Sequence, residues 1–201
     1  MSTVASWPPL AKDTRAVVEA YDRVLGWLLI TDTTIVSQGQ AVHEMTERPD
    51  TLLSTPCSAF DAVKVPYEVG MESMVLFGRR DVGPVPCLIE RKNHVILLVR
   101  AGTGQPLSDL ADGVSVEAGS GGRLVLPPSA GHRWDTPPWA ITSEDPCQLP
   151  DGAALVPCLV DALRLFGSPR PADPGTSRAS ARCSQGFSPP PTIRPAGLGS
   201  S

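Results

Sequence analysis

Proline and glycine break this chain so often that its apolar residues can only work in short runs. There are 22 prolines and 18 glycines among 201 residues, well above the roughly 12% usual for the pair. Proline removes a backbone donor, and glycine costs backbone entropy inside helices and strands. The longest apolar stretches, around Leu28–Ile30 and Val95–Val99, are strand-sized. They fall far short of the roughly 18 apolar residues of a membrane span, so no membrane partner is expected. From Ser168 the sequence runs SPRPADPGTSRASARCSQGFSPPPTIRPAGLGSS, with too few large apolar side chains to offset the entropy of ordering. We therefore expect a folded domain over residues 1–167 and a disordered Pro/Ser/Gly-rich tail over 168–201.

Charge and cysteine usage narrow the function classes. The net charge of −4 argues against strong non-specific nucleic-acid binding, which needs a basic face. Positive residues gather in one stretch: Arg79, Arg80, Arg91, Lys92 and Arg100 are the candidate nucleic-acid-binding residues. The five cysteines (Cys57, Cys87, Cys147, Cys158, Cys183) contain no C-x-x-C pair, so they read as reduced thiols acting as small hydrophobes. The opening MSTVASWPP lacks the basic-then-apolar pattern of a secretory signal. The expected location is the cytoplasm.

The element order follows from periodicity and punctuation. Asp13 or Thr14 can cap a helix carrying Val17, Val18, Tyr21, Val24, Leu25 and Leu28 at helical spacing. A strand is expected over 27–36, an irregular stretch over 37–56, and a second strand over 57–65. Pro66 suits the first turn of a helix that Gly78 should stop. The apolar runs 85–90 and 94–100 are separated by three residues, which predicts a hairpin. A short helix over 106–111 follows. A second hairpin is expected from 114–117 and 123–126 around Gly-Ser-Gly-Gly. The last helix spans 151–166, with Pro157 near its first turn. Together these predict an α+β fold with a mostly antiparallel sheet and helices packed on it.

Two superficially catalytic motifs do not hold up. Ala101–Pro106 (AGTGQP) lies between a strand and a helix but lacks the lysine and hydroxyl of a phosphate-binding loop. Ser129, His132 and Asp135 are close in sequence, which does not orient a triad. Three other places carry more when taken together: Asp61 inside an apolar strand, His94 opening the strand HVILLV, and the segment VSVEAGSGGRLVLPPS over 114–129. Here the chain resembles the N-terminal domain of bifunctional DNA primase-polymerases of the archaeo-eukaryotic primase kind, and among them short bacterial proteins. The resemblance covers roughly residues 16–166 and includes Arg133-Trp134 and the last helix.

That resemblance implies a primase-polymerase-like fold and a nucleotidyl-transfer site in which carboxylates hold two magnesium ions. It places Asp61 in the first motif, His94 in the second and Glu117 beside the third. The departures are severe. Val63 stands where the second aspartate of the first motif belongs, Ser115 or Val116 where the third motif's aspartate belongs, and Lys92 where a serine precedes the histidine. Asp61, His94 and Glu117 are therefore vestigial catalytic candidates. The expected function is a catalytically degenerate primase-polymerase-like domain with weak DNA or nucleotide binding and no cofactor. One alternative is an active DNA primase/polymerase using Asp61, His94 and Glu117 with magnesium. Another is a non-enzymatic protein-interaction module working through the proline-rich tail. Because the tail carries so little apolar area, deleting 168–201 should leave the melting temperature of the domain essentially unchanged. A thermal melt of the truncated chain checks this, and a drop of several degrees would show that the tail docks.

Overall fold

The computed structural model describes residues 7–10, 12–91 and 93–166. The tail and the backbone of Lys92 lie outside them. Helix α1 (Thr14–Glu19) is capped by the Asp13 carboxylate, which accepts from the Ala16 N–H at 3.0 Å. It runs on as a π-helical turn, Ala20–Val24. The expected single strand over 27–36 is two, β1 (Leu29–Thr31) and β2 (Thr34–Val36), paired as a hairpin. Asp32, at φ 53°, turns the chain between them. The segment expected to be irregular contains α2 (Gln38–Glu47), whose Ser37 hydroxyl accepts from Gln40 N–H at 3.3 Å. It buries only Ala41 and Met45, too narrow a stripe to stand out among polar neighbours.

Strand β3 (Leu53–Pro66) begins four residues earlier than expected and passes through Pro56. Its pairing register shifts there, which accommodates a residue that cannot donate to the ladder. Helix α3 (Tyr67–Arg79) starts after Pro66 as expected but continues through Gly78. Strands β4 (Cys87–Glu90) and β5 (His94–Arg100) form the expected hairpin. The second expected hairpin is instead one strand, β6 (Ser115–Val125), because β3 is long enough to pair both of its ends. Strand β7 (His132–Thr136) was not foreseen. Helix α4 (Gly152–Phe166) lies where periodicity put it, with Pro157 in its second turn rather than its first.

The fold is α+β: among the described residues, four α-helices pack on a seven-stranded, mostly antiparallel sheet. Its order is β2-β1-β3-β5-β4-β7, with β6 also on β3. Ser54 pairs with both Ile30 and Val125, and Ala62 with both Leu98 and Glu117. Strand β3 is therefore flanked by β6 on one edge and by β1 and then β5 on the other. Side chains alternate across a strand, and β3 divides its residues between two cores. Phe60 and Ala62 join Leu88, Ile96 and Leu98 against Tyr21, Trp27 and Trp139. Val63 and Val65 join Ile89, Val95, Leu97 and Val99 against Val69, Phe77, Leu155 and Leu159 of α3 and α4. Gly70 lets α3 press onto this second face, since a Cβ there would sit 2.3 Å from the Val95 Cβ.

Asp61 points to the α3–α4 side and is 2% exposed. Its Oδ2 accepts from the Gly104 N–H at 2.7 Å, at the start of a 3-10 turn over Gln105–Leu107. A Cβ on Gly104 would come within 2.8 Å of the Asp61 Cβ. The glycine-rich segment after β5 thus docks on β3 through a buried hydrogen bond. Asp61→Ala strands the Gly104 N–H away from water, a loss of about 1–3 kcal/mol for an orphaned buried donor. Urea unfolding should show a lower midpoint for Asp61→Ala with an unchanged slope.

Candidate functional site

The three residues that the resemblance implies as catalytic do not meet. Residues opposite each other across a ladder share a face. Glu117 lies opposite Ala62 and His94 opposite Pro66, so both occupy the face away from Asp61. Glu117 is exposed. It stands four residues along β3 from the level of His94 and two strands across, roughly 16 Å at ordinary strand spacings. Asp61 is held by Gly104 on the helix-covered side. From β3, the face of His94 receives Ala62 and Lys64 instead, and from β6 Ser115, which pairs with Lys64.

What this face does assemble is a charged row across three strands. Glu90 ends β4, and its register partners are His94 on β5 and His132 on β7. The Lys64 Nζ approaches Glu90 Oε2 at 2.5 Å. His94 Nδ1 stands 3.6 Å from Oε2, and His132 Nε2 stands 3.7 Å from Oε1. Glu90 Oε2 is out of solvent with no well-angled hydrogen-bond donor, so the lysine contact is an ion pair rather than an aligned hydrogen bond. Desolvation pushes the Glu90 carboxyl up, but the Lys64 ammonium, with His132 and His94, outweighs it and holds the group below its ordinary value. The turn after β4 is pinned by the Arg91 N–H, which donates to Gly131 O at 2.7 Å. That bond brings the 129–132 loop, and with it His132, beside Glu90.

The basic residues do not form one patch. Arg80 pairs with Asp161 of α4 at 2.5 Å, and Arg100 pairs with Asp151. Arg79 is exposed at the end of α3. Arg91 lies near the opposite end of β5 from Arg100, about 20 Å away at ~3.3 Å per residue. Lys92 lies outside the described residues. Ser129 is buried, and its hydroxyl accepts from the Leu53 N–H at 2.8 Å, so it serves the fold. Cys57, Cys87 and Cys158 are buried free thiols; burial pushes those of Cys57 and Cys87 up to about 12. Cys57 and Cys87 are therefore poor nucleophiles at neutral pH.

Magnesium for nucleotidyl transfer does not fit this face. Its β3 positions are filled by Ala62 and a lysine, while the strand's one carboxylate faces the other core. Among the described residues no group of three His, Cys, Asp or Glu side chains could hold a metal ion. Glu90 and Lys64 were missed because each ends or interrupts an apolar run. The three-residue gap after Glu90 was a usable signal, since it sets Glu90 opposite His94. No described helix is long and apolar enough to cross a membrane. No protein-family model, curated protein or solved structure matches the chain.

The Glu90 carboxyl is lowered in the folded state, so its contribution to stability is present above its unfolded value and lost as pH falls through the folded one. Replacing its main partner, Lys64→Met, should lower stability at pH 7 by about 1 kcal/mol or less. The penalty should disappear as Glu90 is protonated below the ordinary glutamate range near 4.5. Thermal melts of the two proteins at pH 7 and pH 3.5 check both parts.

Proposed function

We propose that the chain is a primase-polymerase-like domain that does not transfer nucleotides and retains a weak contact with DNA or nucleotide. We place it in the cytoplasm, as its free cysteines suit a reducing compartment. The observation that carries the reading is the occupancy of the His94 face. Where two-metal chemistry needs converging hard oxygen ligands, this face presents the Lys64 ammonium, Ala62 and Ser115. Asp61 is committed to Gly104 on the other side of the sheet. An ammonium can neutralise one carboxylate, but it cannot activate a primer hydroxyl and hold a leaving pyrophosphate as bridging metal ions do. Nucleic-acid contact, with Arg80 and Arg100 already paired to aspartates, rests on Arg79, Arg91 and Lys92. It should weaken steeply with salt, each duplex phosphate contact contributing about 0.9 to the log–log slope.

Primer synthesis and extension assays with magnesium or manganese should give no template-dependent product. Product that forms with the wild type and disappears with His94→Ala or Glu117→Ala, both partly or fully exposed side chains, would overturn this reading and establish an active polymerase.

A further inference from the structure

We draw no further inference here: the strongest candidate, the exposed apolar patch of Leu28 and Ile35 at the β1–β2 end of the sheet, carries no proposal because nothing in the structure shows what covers it.

Discussion

Pairing on both edges of β3 is the constraint from which the rest of the structure follows. A strand of 14 residues that carries β6 on one side and β1 and β5 on the other has no freedom of register. A slip by one residue would exchange Ala62 for Asp61 beneath the aromatic cluster and Val63 for Ala62 beneath α4. Both faces are covered, so such a slip would place a carboxylate in an apolar core without the Gly104 N–H that now satisfies it. The two cores, the docking of the glycine-rich segment after β5 and the composition of the His94 face all rest on that one register.

The polar groups divide along the same line. Asp61 is a fastening: one buried hydrogen bond ties the 3-10 turn to the middle of the sheet. The Glu90 row is of a different kind. Lys64 offsets its charge from β3, while two histidines approach at distances that make no hydrogen bond. Most buried polar groups in folded proteins are satisfied. Among the described residues Glu90 Oε2 is the one buried side-chain oxygen or nitrogen left without an aligned hydrogen-bond partner. It lies on the same sheet face as His94 and Glu117 and on the opposite face from Asp61.

The aromatic side chains show how the sheet is closed on that same face. Trp7 and Trp134 pack edge-on against Trp139, which tilts onto Tyr21, and the Tyr21 hydroxyl accepts from the Trp134 indole N–H at 2.7 Å. Trp27 stacks on Tyr21 and leans on Phe60. Residues from the start, middle and end of the folded region thus meet over β3. Burial pushes the Tyr21 phenol well up, so it stays neutral and serves as the polar centre of an otherwise apolar cluster. The cluster covers the Phe60 end of the face and leaves the Lys64 end accessible.

Local rules in the sequence by themselves determined several elements. Pro66 opens α3, the three residues between two apolar runs make the β4–β5 hairpin, and the apolar stripe of α4 is read directly from its spacing. Period-two alternation also establishes that Asp61 and Val63 share a face and that Lys64 lies on the other. Only the tertiary structure decided which face is which. Alternation gives relative orientation within a strand, whereas the absolute side depends on which helices cover it. Likewise, β6 became one strand because a distant partner was long enough to pair both its ends. His132 came to Glu90 through a pairing between strands more than 40 residues apart. Those choices are made by non-local burial and hydrogen bonding, whose free energy depends on residues far away in the chain, and no local pattern encodes them.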